Sequence, residues 1–183
     1  MAADFSTTHF ELFDLPQSFD VDSAVLDERY RELQRTVHPD RFVNATDQER
    51  RLSMQQTIRI NEGYETLKDP LKRGRYLLEL AGHRFDDEKH TTSDPEFLME
   101  QMELREALGD VRAAADAFAE LGRIMDRITA ASDALTADLR EQFARADPAR
   151  QEAALITLTK MQFFRRLQEE VQELESALED EIA

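Results

Sequence analysis

Apolar residues in this chain recur every three or four positions and strand-like alternation is absent, a pattern that predicts an all-α fold. A short helix is expected around Phe10 to Leu15, followed by a longer one from about Asp22 to Val37. In the longer helix Leu26, Tyr30, Leu33 and Val37 stand four, three and four residues apart and form one buried stripe. A third helix, from about Asp47 to Lys68, places Ile60, Tyr64 and Leu67 on its apolar face. A fourth begins at Pro70, carries Leu71, Leu77, Leu78 and Leu80, and stops near Gly82. Antiparallel packing of the second and third helices would close a domain over residues 1–82. Gly63 falls inside the third helix, where it costs about 1 kcal/mol against alanine; close helix packing would explain it, but the sequence does not show that.

From Gly82 to Ser93 the chain turns polar and loses its period, so residues 83–93 are expected to be a linker. Beyond it, residues 94–183 predict helices from Asp94 to Leu108, from about Val111 to Arg145 and from Pro148 to Glu181. Phe118, Leu121, Met125, Ile128, Leu135 and Leu139 form one stripe; Phe164, Leu167, Val171, Leu174 and Leu178 form another. Two long helices of this kind pair antiparallel, and the Asp94 helix lies against them as the third member of a bundle. Start signals agree with this division. Asp69-Pro70, Asp94-Pro95 and Asp147-Pro148 each offer an N-cap carboxylate followed by a proline suited to the first helical position. Thr46-Asp-Gln-Glu49 has the form of a capping box.

Charge and composition then remove several functions. There are 23 basic and 39 acidic residues, a net charge of −16 that repels nucleic-acid phosphates and anionic membranes. Cysteine is absent, which excludes disulfides, a thiolate nucleophile and Cys-ligated metal. Neither a signal peptide nor a membrane span is apparent, so the cytoplasm is the expected location. No resident cofactor is expected. An enzyme reading would pair His38 as general base with Asp40, yet no nucleophile, phosphate loop or metal-ligand spacing accompanies them, and His9, His83 and His90 are scattered. A metal site would need His83, Asp86 and His90 to converge; a solvated linker is the simpler expectation.

Two features remain as candidate interaction sites. His38-Pro39-Asp40 stands where the second helix must end, because proline disfavours helical backbone in the residue before it. The tripeptide is thus expected at the hairpin tip. The second feature is the excess apolar surface of the Asp94 helix. At about 100° per residue, Phe97, Leu104 and Leu108 share one face, while Leu98, Met99 and Met102 share another beside Glu103 and Glu106. If the first face joins the bundle, the second exposes flexible thioethers with an acidic rim, suited to a basic, apolar partner. Phe163 is similar, since Phe164 takes the core position and leaves it about a quarter turn away. The alternative is that both faces are buried, one against the bundle and one against the first domain.

The segment Phe10 to Tyr76 resembles a J-domain, with His38-Pro39-Asp40 in its hallmark loop and Ile60-Asn-Glu-Gly-Tyr-Glu-Thr-Leu-Lys-Asp-Pro70 in its third helix. The whole chain is similar to HscB-type J-proteins of iron–sulfur cluster assembly, through Pro70-Leu-Lys-Arg-Gly-Arg-Tyr-Leu-Leu78 and Asp94-Pro-Glu-Phe-Leu-Met-Glu-Gln-Met-Glu-Leu-Arg-Glu106. The resemblance is weakest between about Val111 and Arg150. It implies an L-shaped molecule made of a J-domain and a C-terminal three-helix bundle. It also implies docking on an HscA- or DnaK-type ATPase chaperone through His38, Pro39 and Asp40, aided by a basic face of Arg31, Arg35 and Arg41. The bundle is implied to bind an IscU-type scaffold through Leu98, Met99, Met102 and Phe163, with Glu103, Glu106 and Asp110 as its acidic edge. Methionine at 102 and aspartate at 110 depart from the commoner leucine and glutamate. A general J-protein presenting unfolded clients is the rival, but the Gly/Phe-rich spacer or Cys-rich repeats usual in such proteins are missing. Zinc-binding cysteine pairs ahead of the J-domain are missing as well, which favours a bacterial-type form.

Overall fold

The computed structural model describes residues 7–37, 46–83, 94–145 and 147–182. Within them are seven α-helices and one 3-10 turn, and no strand. The chain forms two compact units, Met1–His83 and Arg84–Ala183.

The first unit contains α1 (His9–Leu12), α2 (Ser23–Val37), α3 (Asp47–Lys68) and α4 (Pro70–Leu80). α1 is shorter than its pattern suggests, yet Phe10 and Phe13 around it are each only 1% exposed, so this brief segment serves mainly to insert two rings into the core. Those rings account for Gly63. A Cβ at this position would come within 2.9 Å of Phe13 Cε2 and 3.1 Å of His9 Nδ1, closer than packed side chains allow. α2 and α3 run antiparallel, as their cross-contacts show: Tyr64 Oη donates to Asp27 Oδ1 at 2.7 Å, Tyr30 Oη to Asn61 Oδ1 at 3.0 Å, and Ser53 Oγ to the Val37 carbonyl at 2.9 Å. Tyr30 and Tyr64 stack with ring centroids 4.0 Å apart. The expected stripe on α2 is half inside the core: Leu26 and Val37 are buried, while Tyr30 and Leu33 are partly covered.

The caps read from the sequence are present. Thr46 Oγ1 accepts from the Glu49 amide at 3.3 Å while Glu49 Oε2 accepts from the Thr46 amide at 2.8 Å. Asp69 Oδ1 accepts from the Leu71 and Lys72 amides at 2.9 and 3.1 Å, which starts α4 directly at the end of α3. α4 contributes an unexpected core member, Arg73, which is 7% exposed. Its guanidinium donates to the Leu67 carbonyl at 2.6 Å and lies 4.9 Å from the centroid of Phe19. Gly82 adopts φ +88° just past the helix, the left-handed conformation glycine takes without a Cβ penalty.

The second unit contains α5 (Pro95–Asp110), α6 (Ala117–Phe143) and α7 (Pro148–Ile182). The sequence predicts a helix starting at Val111, and here the structure differs. Residues Val111–Ala113 form a 3-10 turn, and α6 starts only at Ala117, where Asp116 Oδ1 accepts from the Ala119 amide at 3.0 Å. Val111 is fully buried, so the turn serves to drive it into the core. The predicted α6 stripe holds for Leu121, Ile128 and Leu139, with Met125 and Leu135 packed against the core. Phe118, placed on the core stripe by its spacing, is exposed, and Ile124 is buried in addition to the stripe. On α7 the predicted stripe holds for Phe164, Leu167, Val171 and Leu178 and extends toward the N-terminus through Ala154, Leu158 and Met161.

Ion pairs mark the register of this bundle. Lys160–Asp94, Arg105–Glu170 and Arg112–Glu181 join α5 and its following turn to α7 at 2.6, 3.3 and 2.7 Å, and their ascending order makes α5 parallel to α7. Gln142 Nε2 donates to Thr157 Oγ1 at 3.0 Å near the turn between α6 and α7, consistent with their antiparallel pairing. No helix among the described residues is long and apolar enough to cross a membrane.

Candidate functional site

α5 divides its apolar residues between two faces. Phe97 and Leu104 are 5% and 0% exposed and belong to the bundle core, with Leu108 packed against its edge. On the opposite side Leu98, Met99 and Met102 are 43%, 62% and 74% exposed. Within its own unit, one apolar face of α5 is buried and the other is left uncovered by α6 and α7. Glu103, Glu106 and Asp110 are exposed on the same helix. Asp110 closes α5, and its side chain makes no cap bond to the turn that follows.

Both borders of this face are tied to neighbouring helices. On one, Arg127 of α6 donates to Glu103 Oε2 at 3.1 Å. On the other, Arg105 donates through both terminal nitrogens to the two Glu170 oxygens of α7, each at 3.3 Å. These pairs are solvent-exposed and contribute little stability individually. The tilt and rotation of α5 are set by Phe97 and Leu104, which are buried in the bundle core, and with them the direction in which Leu98 and Met102 project. Their partners lie on helices remote in sequence, so the spacing of α5 gave no signal for Arg127, Arg105 or Glu170.

Phe163 is placed differently from the expectation of a freely exposed ring. It is half-buried, packed edge-on against Phe97 and Phe164 at centroid distances of 5.6 and 5.4 Å. A quarter turn from Phe164 therefore brings it to the margin of the core, beside α5, and the Arg105 guanidinium lies 5.6 Å from its ring centroid. At the helix start, Asp94 Oδ1 caps the Glu96 and Phe97 amides while Oδ2 accepts from Lys160 Nζ at 2.6 Å. The lysine hydrogen bond, then the amide bond from Phe97, holds the Asp94 carboxyl below the usual carboxylate range.

In the first unit, Arg31 and Arg35 are exposed, one turn apart in the last two turns of α2. Arg31 Nε donates to the Asp27 carbonyl at 3.2 Å, which directs its guanidinium along the helix surface. His38, Pro39, Asp40 and Arg41 lie outside the described residues, as do Asp86 and His90. What the described residues do define is the foot of the hairpin tip: Val37 is tied to Ser53, and Thr46 starts the returning helix. No group of three His, Cys, Asp or Glu side chains among the described residues could hold a metal ion.

Comparison with known proteins agrees with this architecture. Residues 93–172 match the family described as the HSCB C-terminal oligomerisation domain. A co-chaperone protein HscB homolog from Shewanella oneidensis is 44% identical over 172 residues, covering 94% of this chain and 99% of that protein. Among solved structures, the chaperone HscB from Vibrio cholerae is similar with a TM-score of 0.80 at 40% identity, covering 94% of this chain and 99% of that one. The crystal structure of the human co-chaperone protein HscB gives a TM-score of 0.84 at 34% identity, covering 96% and 85%. Identity at this level over nearly the full length of both partners, on an all-α chain with a J-domain sequence ahead of a three-helix bundle, shows that the chain belongs to the HscB family of J-type co-chaperones of iron–sulfur cluster assembly.

Proposed function

We propose that this co-chaperone is an adaptor that stimulates the ATPase of an HscA- or DnaK-type chaperone and delivers an IscU-type iron–sulfur scaffold protein to it. The single observation that carries the scaffold half is the exposure of Leu98, Met99 and Met102 on a helix whose other apolar face fills the bundle core. Three neighbouring apolar side chains, two of them adaptable thioethers, form a patch that a stable monomer has no internal use for. Glu103, Glu106 and Asp110 along the same helix favour a partner with basic residues around an apolar centre. Phe163 adds an aromatic margin.

The chaperone half rests on the tripeptide His38-Pro39-Asp40 and on Arg31, Arg35 and Arg41. In a chain of net charge −16, a local run of arginines at the end of α2 orients an acidic chaperone surface and raises the association rate. Holding scaffold and chaperone through one polypeptide raises the effective concentration of each for the other without any new contact between them. The scaffold is then near the chaperone's peptide site when hydrolysis closes it.

A single-turnover ATPase assay tests the proposal, with chaperone alone, with this protein, with scaffold, and with both. Stimulation by both together is expected to exceed the sum of the separate effects. His38→Gln is expected to remove stimulation while scaffold binding persists. Simple additivity in the four-way assay, or full stimulation by His38→Gln, would overturn it.

A further inference from the structure

Phe163 is the one proposed scaffold-contacting side chain that the structure does not leave open: it packs against Phe97 and Phe164 on one side, and a pair of charges lies over it. Arg105 is the only basic residue in α5. Its guanidinium lies 5.6 Å from the Phe163 ring centroid and is held there by a two-point hydrogen bond to Glu170, both contacts at 3.3 Å. Its two aromatic neighbours, Phe97 and Phe164, are buried core residues, and the solvent-exposed arginine lies on the ring's outer side. Both members of the pair remain in solvent, with side chains 54% and 41% exposed. A cover made of an exposed ion pair and a cation–π contact is weakly held.

We infer that the Arg105–Glu170 pair is a displaceable cover over Phe163, which a docking scaffold must move aside to reach the aromatic ring. Arg105 and Glu170 are positioning residues in this arrangement: they set how much of the ring a partner meets. On the helical wheel of α5, Arg105 stands about 20° from Leu98 and about 60° from Met102, on the α7 side, so a partner seated on those two residues runs directly into it. An apolar partner side chain gains more from the Phe163 ring than from a hydrated guanidinium, and Arg105 has the reach to turn outward once released. This inference rests on the proposed scaffold-binding reading and assigns the pair a role opposing that binding.

Two variants and one reporter test it. Because the chain contains no tryptophan, Phe163→Trp introduces a single indole whose quenching by acrylamide reads the exposure of that position. In that background Glu170→Gln and Arg105→Ala are both expected to increase quenching. Raising the salt concentration is expected to do the same with the pair intact and to have little effect in Glu170→Gln, since screening weakens only the ion pair. Separately, in the chain with Phe163 unchanged, calorimetric titration with cluster-free IscU-type scaffold is expected to show binding roughly two- to five-fold tighter for either variant, the scale of an exposed ion pair. Weaker binding by Glu170→Gln or Arg105→Ala would overturn the inference, because the pair would then be a contact and not a cover; so would unchanged quenching in both. Leu98→Ala in the same titration separates the two readings: if it leaves affinity unaltered, scaffold docking on α5 is wrong, while quenching still reports whether the pair covers the ring.

Discussion

Leu104 and Met102 are two residues apart on α5 and should respond to truncation in opposite ways. Leu104 is 0% exposed, in one cluster with Phe97, Val111, Ile124 and Phe164. Leu104→Ala removes buried methyl groups and leaves a cavity that helices pinned by ion pairs close only in part, a cost of about 3–4 kcal/mol. For a unit of roughly 100 residues that corresponds to a fall in Tm of about 15–25 °C. Met102 is 74% exposed, so only about a quarter of its surface is withdrawn from water. Full burial of such a side chain contributes about 1.5–3 kcal/mol, so its share is about 0.5 kcal/mol. Alanine's higher helix propensity returns a few tenths. Met102→Ala should thus melt within about 3 °C of the parent. Leu98, at 43% exposure, falls between the two. Thermal melts by circular dichroism measure these differences, and titration with the scaffold supplies the functional half. Leu98→Ala combined with Met102→Ala is expected to weaken binding about tenfold or more, as truncation of a central apolar anchor commonly does. A melting loss for Met102→Ala approaching that of Leu104→Ala, or unaltered affinity in the double variant, would refute the division of α5 into core and docking faces.

Gly63→Ala sets about 1 kcal/mol of gained helix propensity against overpacking that costs about 1–3 kcal/mol. The nearest obstacle is the ring of Phe13, itself 1% exposed and without room to retreat, so a net loss of about 1 kcal/mol is expected in urea denaturation of the full chain. Thr46→Ala removes the acceptor for the Glu49 amide and should cost about 1 kcal/mol, read as a lower urea midpoint. His9 is held below its ordinary pKa first by burial and then by the Arg59 charge. Its depressed pKa disfavours protonation of the folded state, so its contribution to stability is complete above the unfolded value of about 6.5 and is lost as pH falls below it. His9→Phe should flatten the decline in Tm between about pH 6.5 and 5; an equally steep decline in that variant would exclude His9 as its source.

The starts of α3, α4 and α5 were legible because they are announced by local chemistry. Asp69, Asp94 and Thr46 cap their own helices through atoms two or three residues away, so no tertiary information was needed. The break between α5 and α6 was not legible. Val111-Arg-Ala-Ala-Ala-Asp-Ala is rich in helix formers, and the chain turns there because the bundle takes Val111 into its core. An α6 starting at Val111 would place Phe118 well inside the helix, whereas it lies in the first turn and is exposed; Ile124 is a core residue additional to the stripe, and Asp116 as an N-cap is the local signal for the true start. On α7 the core residues Ala154 and Thr157 are small or polar and disguised the N-terminal half of the stripe. That α5 carries a second apolar face is legible from its spacing, although the spacing leaves open whether that face is covered. Its borders are not legible, because Arg127 and Glu170 reach it only through the register of three helices.

That register also explains how an apolar face can stay open on a folded bundle. Within their own unit, burying Leu98, Met99 and Met102 would require a further layer, and the packing of Phe97 and Leu104 in the bundle core keeps α5 from rolling them inward. The remaining hazard is a second copy of the same face. Two copies would bring Glu106 and Asp110 together around an apolar centre, on chains each of net charge −16, and like charges at close range oppose that contact. A partner carrying basic residues around an apolar centre meets the opposite sign. On the proposed scaffold-binding reading, the acidic edge favours a partner with basic residues and disfavours a second copy of the same face, so specificity there would come as much from repulsion as from attraction.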